Sequence, residues 1–175
     1  MLQAEQDALV LLAQQGDREA FTLLYRALTP ELLRFSYRLC DDRQLAADLV
    51  QDIWVGTFKS IHRLDDPRVL RSWLYRATRW RTLDAMRNSD RLRPLKQVDE
   101  WATDSNDEIE APESVLNLIK ALHQDEQHTV YLFYASELKL DEIALVLEVP
   151  VGTVKSRLNR ARKKLKELWE SKYES

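Results

Sequence analysis

Apolar residues recur along this chain every three to four positions, which is the spacing of amphipathic α-helices. The clearest stripe lies in residues 42–62 and consists of Leu45, Leu49, Val50, Ile53, Trp54, Phe58 and Ile61. No run alternates apolar and polar residues over five or more positions, so the sequence shows no strand pattern. The pattern therefore predicts an all-α protein.

Capping residues and prolines set the expected helix boundaries. Gly16 ends an opening helix, and Asp17 can cap the next one. Thr29 and Pro30 supply a cap and a first-turn proline, so we expect a break before a helix over residues 31–40. Further helices are expected over residues 42–62, 69–89, 114–122, 125–136 and 140–147, and from residue 151 onward.

Two of these helices, separated by a tight turn, form a recognisable motif. Residues 140–147 place apolar side chains at i, i+3, i+4 and i+7, and Pro150 stops this helix but is tolerated where the next begins. Glu148 occupies the turn position where glycine is usual. The pair predicts a helix-turn-helix, whose second helix enters the major groove of DNA.

The second helix of this motif has an apolar side and a basic side. The apolar side consists of Val154, Leu158, Ala161, Leu165 and Leu168. The opposite side carries Gly152, Ser156, Asn159, Arg160 and Lys163, with Lys155, Arg157 and Arg162 at its flanks. Small residues allow close approach to a groove, and the donors can reach base edges and phosphates. Seven cations and no carboxylate between residues 151 and 166 therefore indicate a surface for a polyanion.

A second basic cluster occupies residues 68–93, which hold eight arginines against two aspartates. Trp73, Tyr75 and Trp80 are interleaved with these arginines. Aromatic rings beside cations suit single-stranded nucleic acid, since rings stack on bases while cations follow the backbone. We expect Trp73 to lie in the core, and Trp80, with an arginine on each side, to contact nucleic acid.

Charge is segregated along the chain, although the formal net charge is only -3. Residues 94–113 hold seven acids and one lysine, and residues 94–112 also hold two prolines and few apolar residues. Such a composition cannot bury enough surface to fold alone. We therefore expect two small helical domains, residues 1–93 and 113–175, joined by a flexible acidic linker over residues 94–112.

Few features of the sequence point to an enzyme. Cys40 is the single cysteine, and the three histidines are not grouped with acids as metal ligands, so we expect neither a metal nor a cofactor. Neither a phosphate-cradling loop nor a nucleophile-base pair is recognisable. The chain shows no signal peptide and no apolar run of membrane-spanning length, and we expect a cytoplasmic protein.

In order and spacing, these segments resemble the extracytoplasmic-function (ECF) sigma factors of bacterial RNA polymerase. The resemblance rests on VPVGTVKSRL at 149–158 with Arg160 and Arg162, on DLVQD at 48–52 with Trp54, and on SWLYR at 72–76 with Asp84 and Arg87. It implies a transcription initiation factor without catalytic activity of its own, which binds core RNA polymerase and directs it to promoter DNA.

The resemblance also assigns roles to residues. Core polymerase would be contacted by Asp48, Gln51, Asp52 and Val55. The melted minus-10 element would be contacted by Arg76, Arg79, Trp80, Arg81, Asp84 and Arg87. The duplex minus-35 element would be read by Thr153, Lys155, Ser156, Arg157, Asn159, Arg160 and Lys163. The linker would follow the polymerase channels, where negative charge mimics RNA, and a separate anti-sigma factor would be the regulator.

Three positions depart from the family pattern. Trp80 stands where asparagine is frequent, so the minus-10 base preference is not carried over. Lys139 stands where a helix-capping serine is common, which costs that helix about 1 kcal/mol. Asn159 occupies a variable base-facing position, so the minus-35 sequence stays open.

Two other classes of function explain part of the sequence less completely. A free-standing helix-turn-helix regulator would explain residues 139–166 but neither the residues predicted to contact polymerase nor the arginine and tryptophan cluster. A nuclease or other nucleic-acid hydrolase would need rigidly spaced carboxylates or metal ligands, which the linker acids do not offer.

Overall fold

A computed structural model of the chain describes residues 2–90 and 113–173. Its first part contains α1 (Gln3–Gln14), α2 (Arg18–Cys40), α3 (Arg43–Ser60) and α4 (Leu70–Asp90), with 3-10 turns at Ile61–Arg63 and Pro67–Val69. Its second part contains α5 (Glu113–Lys120), α6 (Gln124–Val130), a π-helical turn (Tyr131–Ala135), α7 (Leu140–Leu147) and α8 (Val151–Tyr173). The described residues contain no strand, which confirms the all-α prediction.

Local sequence explains where the first helices begin. The carboxylate of Asp17 accepts hydrogen bonds from the backbone N–H groups of Glu19 and Ala20 at 2.9 and 3.0 Å, which caps α2. Asp42 caps α3 in the same way, accepting from the N–H of Leu45 at 2.9 Å. Between them, Asp41 adopts a left-handed conformation (φ 52°) that ends α2.

The expected break at Pro30 is wrong, because α2 runs through it without interruption. Proline removes one backbone donor, and its ring favours a helix start or a kink. Here Leu28 and Leu32, on either side of the proline, are both buried in the same core. Packing of this continuous apolar stripe against α1, α3 and α4 outweighs the local preference for a break.

The N-terminal core is built where α2, α3 and α4 meet. Its fully buried side chains include Leu24, Leu32, Phe35, Val50, Leu70, Leu74 and Tyr75. Ser36 of α2 and Thr82 of α4 are also fully buried, and their hydroxyls share a hydrogen bond of 2.9 Å. This polar bridge satisfies both groups and fixes the position of α4 along α2.

The C-terminal unit packs α8 against α6 and α7. Val154, Leu158 and Ala161 of α8 are buried, whereas Leu165 and Leu168, predicted on the same apolar side, are half-buried. The turn between α7 and α8 contains Glu148 in the left-handed region (φ 57°), the position predicted for a glycine-like residue. These contacts confirm the helix-turn-helix.

The start of α7 is capped from one side only. Lys139 is the N-cap residue and its side chain makes no capping hydrogen bond. The Glu142 carboxylate instead accepts from the backbone N–H of Lys139 at 2.7 Å. This contact satisfies one donor at the position where the family often has serine.

Contacts divide the chain into two compact units, residues 1–102 and 103–175. The predicted acidic linker, residues 94–112, lies outside the described residues, so its bounds and those of the two domains stay predictions. No helix in residues 2–90 or 113–173 is both long and apolar enough to cross a membrane.

Candidate nucleic-acid interface

Helix α4 turns one side into the core and presents an Arg/Trp face on the other, formed by Arg76, Trp80, Asp84 and Arg87. The spacing i, i+4, i+8 and i+11 keeps these residues within one stripe of a helix with 3.6 residues per turn. Trp80 is 59% exposed, and Arg76 and Arg87 are exposed as well. An indole left open beside cations is the arrangement that can stack on an unpaired base.

The other two residues of α4 that were predicted to contact DNA, Arg79 and Arg81, lie outside this face. Arg79 is half-buried next to the face, and Arg81 is exposed on a different side of the helix. Asp84 is half-buried and accepts a hydrogen bond from the side-chain amide of Asn88 at 3.3 Å. The six residues predicted for the minus-10 element are therefore not equivalent, because only four share a face.

Two arginines of this cluster bind acids of their own domain. The Arg71 guanidinium donates two hydrogen bonds to the Glu31 carboxylate, at 2.9 and 2.7 Å, and both side chains are largely buried. Arg68 donates to Asp66 at the exposed start of α4, and this hydrogen bond holds the pKa of Asp66 below its usual value. Arg91 and Arg93 lie outside the described residues.

The aromatic residues of the cluster divide between core and surface. Tyr75 is 1% exposed, and its ring packs against Phe35 with centroids 5.1 Å apart, so it is not available to stack on a base. Trp73 is half-buried and lines a cavity with Ile61, Leu64 and Leu70. The sequence pattern placed three aromatic rings among arginines, where rings can stack on bases. Helical phase turns Tyr75 inward, and of the three rings only that of Trp80 is exposed.

Helix α8 presents a recognition face formed by Gly152, Ser156, Asn159 and Lys163, which are all exposed opposite the buried stripe. Ser156 donates its hydroxyl to the carbonyl of Thr153 at 2.9 Å and keeps its acceptor capacity. Lys155 is exposed at one edge of this face, and Thr153 is half-buried. The small residue Gly152 stands at the N-terminal end, where a recognition helix approaches base edges most closely.

Three arginines of α8 have partners within the domain. Arg157 is largely buried and pairs with Asp125 of α6 at 2.6 Å, an ion pair that joins α8 to α6. Arg160 is 65% exposed and its Nε lies 3.4 Å from the carboxylate of Glu126. Arg162 donates to the hydroxyl of Tyr134 at 2.9 Å.

Sequence reasoning missed these partners of α8. Asp125, Glu126 and Tyr134 come from α6 and the π-helical turn, about 30 positions before the arginines that they contact. An acidic pair opening a short helix is the signal that could have pointed to them. That signal is common at helix N-termini, where acids interact favourably with the helix dipole.

A third group of predicted residues, Asp48, Gln51, Asp52 and Val55, lies on one face of α3. We call it the clamp-contact face after its predicted role, which is contact with the clamp helices of core polymerase. All four are exposed, and the carboxylate of Asp48 accepts from the amide of Gln44 at 2.9 Å. Underneath, Trp54 is buried, and its ring packs edge-on against Phe21 with centroids 5.6 Å apart. The core therefore holds this face in place.

Phe58 departs from the predicted buried stripe of α3. It is 54% exposed, although its ring packs edge-on against Phe21 at 5.1 Å. Thr57 is buried instead, and its hydroxyl bonds to the carbonyl of Ile53 at 2.7 Å. The buried stripe of α3 follows Ala46, Val50, Ile53, Trp54 and Thr57, which leaves the ring of Phe58 exposed one turn beyond Val55.

No group of three or more histidine, cysteine or acidic side chains among residues 2–90 and 113–173 is arranged to hold a metal ion. Cys40 is half-buried, and burial raises the pKa of its thiol, which disfavours the reactive thiolate. The three faces described above offer cations, carboxylates, amides and, on α4, an exposed indole.

Comparison with known proteins agrees with this organisation. The sequence matches the Sigma-70 region 2 family over residues 24–92, which contain α3 and α4, and the Sigma-70 region 4 family over residues 113–165, which contain the helix-turn-helix. It is 25% identical over 169 residues to the ECF RNA polymerase sigma factor SigW of Bacillus subtilis, covering 87% of this chain and 90% of that protein. It is 29% identical over 183 residues to the RNA polymerase sigma-H factor of Pseudomonas aeruginosa, covering 93% of each.

Solved structures show the same fold. The complex of CnrH with the cytosolic domain of CnrY matches with a TM-score of 0.66 and 21% identity, covering 95% of this chain and 98% of the matched one. The sigma factor RpoE of Bartonella quintana, solved with the anti-sigma factor NepR, matches with a TM-score of 0.68 and 23% identity, covering 86% and 96%. With both sigma regions present in order, the chain belongs to the ECF sigma factors, alternative sigma factors that give RNA polymerase its promoter recognition.

Proposed function

We propose that this protein binds core RNA polymerase and holds promoter DNA at two places through separate helices. The clamp-contact face of α3 binds polymerase, the Arg/Trp face of α4 contacts the melted minus-10 element, and the recognition face of α8 reads the duplex minus-35 element. The observation that carries the proposal is the contrast between an exposed indole on α4 and small polar residues on α8.

Each helix supplies the chemistry that its proposed target requires. An unpaired base exposes a flat ring, which Trp80 can cover, while Arg76 and Arg87 approach the adjoining phosphates. A duplex exposes only base edges, which small and hydrogen-bonding side chains such as Asn159 can reach in the major groove. Asp84 completes the first face, with Arg79 and Arg81 at its margin. Ser156 and Lys163 complete the second face, with Thr153 and Lys155 at its margin.

Arg157 supports the second site from underneath. Its ion pair with Asp125 ties α8 to α6, so it holds the recognition face at the angle at which α8 enters the groove. We retain it among the residues that promoter binding needs, as a positioning residue and not as a phosphate contact.

An anti-sigma factor is the proposed regulator. The fold relatives include a sigma factor solved with an anti-sigma factor, and the exposed side chains Val55 and Phe58 extend the α3 face into an apolar strip that a second protein can cover. We further propose that the protein acts in the cytoplasm, without a cofactor and without catalytic activity of its own, as transcription initiation factors do.

Two charge changes test the assignment of the sites. Asp52→Arg places a cation on the clamp-contact face and should weaken binding to core polymerase, measured by fluorescence anisotropy of labelled protein. Asp65→Arg makes the same charge change at an exposed loop residue of the same unit and should not. Equal affinities of the two variants for core polymerase would refute the role of α3.

The DNA site is tested with the reconstituted holoenzyme. Arg160→Ala should reduce selection of the upstream promoter element without changing polymerase affinity. Lys164→Ala removes a cation from an exposed position one turn further along α8 and serves as the matched control. A free-standing regulator would instead bind duplex DNA tightly alone and leave transcription initiation by core polymerase unchanged.

A further inference from the structure

Glu126 is held in place by the start of its own helix. One oxygen of its carboxylate, Oε2, accepts the backbone N–H of His123 at 3.3 Å and so closes a capping box at the start of α6. The other oxygen, Oε1, lies 3.4 Å from the Nε of Arg160 on α8. The side chain is only 13% exposed, so this carboxylate has little freedom to move.

Arg160 meets this fixed carboxylate from the exposed side. Its side chain is 65% exposed at the edge of the recognition face, next to Asn159 and Ser156. Arg160 contacts Glu126 through Nε, which is the guanidinium nitrogen bonded to the aliphatic part of the side chain. An arginine steadied at Nε still has terminal amino groups for base acceptors, and bidentate contact with guanine is the commonest specific use of arginine in a major groove.

The neighbouring ion pair shows what a purely structural contact looks like. Arg157, one turn earlier on α8, is 15% exposed and pairs with Asp125 at 2.6 Å. Its guanidinium is enclosed by the domain, whereas that of Arg160 is not. Two successive acids of α6 thus serve two arginines of α8 in different ways.

We infer that Glu126 is a specificity-determining positioning residue, which acts through Arg160 on one base pair of the upstream promoter element. Holding the guanidinium in one orientation lowers the entropy lost when it binds a base, which favours the matching base pair over others. The negative charge beside it also weakens attraction to phosphates, which are the same in every sequence. The inference rests on the proposed role of α8 in reading duplex DNA.

The experiment compares reconstituted holoenzymes on a pool of promoters with a randomised upstream element. The variants are Glu126→Gln, Arg160→Ala, the double variant and the control Glu170→Gln. Glutamine keeps an oxygen that can accept the His123 N–H, because a capping box accepts either residue, so Glu126→Gln removes the charge and leaves the cap. Thermal unfolding followed by circular dichroism checks that every variant is folded.

We expect Arg160→Ala to lose about tenfold or more of discrimination at one base pair. Glu126→Gln should reduce discrimination about threefold to tenfold at that same base pair and no other, because a mispositioned arginine keeps part of its contact. The double variant should match Arg160→Ala, since a residue that acts only through another adds nothing once that other is gone. Glu170→Gln, the same change at an acid of α8 that pairs with Lys166 away from the recognition face, should leave the preference at that position unchanged.

Each alternative result bears on a different claim. If Glu126→Gln leaves discrimination intact while Arg160→Ala abolishes it, the positioning role is refuted and the proposed function stands. A uniform shift across all positions, or additive losses in the double variant, also refutes it, because the charge then acts on DNA generally. If Arg160→Ala changes no upstream position, the proposed assignment of the α8 site fails first.

Discussion

Helices α4 and α8 both carry clusters of basic residues, yet the residues on their exposed stripes differ. On α4, Arg71 is bound by Glu31 of α2, and the outward stripe combines Arg76 and Arg87 with an exposed Trp80. On α8, Arg157 and Arg160 are bound by acids of α6, and the outward stripe is small and polar. Composition alone would describe both as basic helices. The residue at the centre of the exposed stripe, an indole or a small polar side chain, separates a surface for unpaired bases from one for a duplex.

The largest expected effect tests the buried side of α4. Tyr75→Ala should lower the free energy of unfolding by about 3–5 kcal/mol, because it removes a buried ring that packs against Phe35. Urea unfolding followed by tryptophan fluorescence measures this. Trp80→Ala, five residues further along α4, should leave the free energy of unfolding nearly unchanged. If Tyr75→Ala were equally harmless, the division of aromatic residues between core and surface would be incorrect.

The exposed side of α4 is tested by DNA binding. Trp80→Ala should weaken the affinity of the holoenzyme for a single-stranded oligonucleotide carrying the minus-10 sequence by about 1–3 kcal/mol, the usual value of one base stacked on an aromatic ring. Trp169→Ala, at an exposed tryptophan of α8, provides the control. Equal losses from the two changes, measured by fluorescence anisotropy, would remove the distinction between the helices.

The internal ion pairs should differ in strength. Arg71→Ala breaks two hydrogen bonds between side chains that are both largely buried, and should cost about 2 kcal/mol of stability. Arg157→Ala should cost about 1 kcal/mol, because half of the Asp125 side chain is exposed and water replaces the lost partner. Chemical unfolding of the full chain measures both. The reverse order would show that burial of the acid does not set the difference.

The smallest effect concerns Lys155 at the edge of the recognition face. Lys155→Ala should weaken duplex binding by a similar factor for every upstream sequence and reduce the slope of log affinity against log salt by about 1. A titration of salt with two different promoters measures both quantities. A loss confined to one promoter would mean that Lys155 reads bases instead of phosphate.

Sequence periodicity predicted much of this fold because local rules decide it. Asp17 caps α2 as expected, and the buried stripe of α8 begins at Val154. The prediction failed at Pro30, where packing of the residues on both sides of the proline overrides a local signal. It also failed at Phe58, which was predicted in the buried stripe of α3 but is exposed.

The candidate site was predicted less completely than the fold. Helical phase placed Gly152, Ser156, Asn159 and Lys163 on the exposed side of α8 as predicted, since phase depends on sequence spacing alone. The partners of Arg71 and Arg157 lie 40 and 32 positions away in the chain. Which arginines are bound within a domain depends on tertiary neighbours, and a pattern within one helix contains no information about them.

The hydrogen bond between Ser36 and Thr82 constrains how this sequence can change over generations. Replacing one partner with alanine leaves the other hydroxyl buried without the side chain that it bonds to, which costs free energy of folding. Replacing both residues removes that cost. We therefore expect single substitutions at either position to be selected against and paired ones to be tolerated. We expect the two positions to vary together among descendants of this protein, because the contact between α2 and α4, the helix that carries the Arg/Trp face, depends on both side chains.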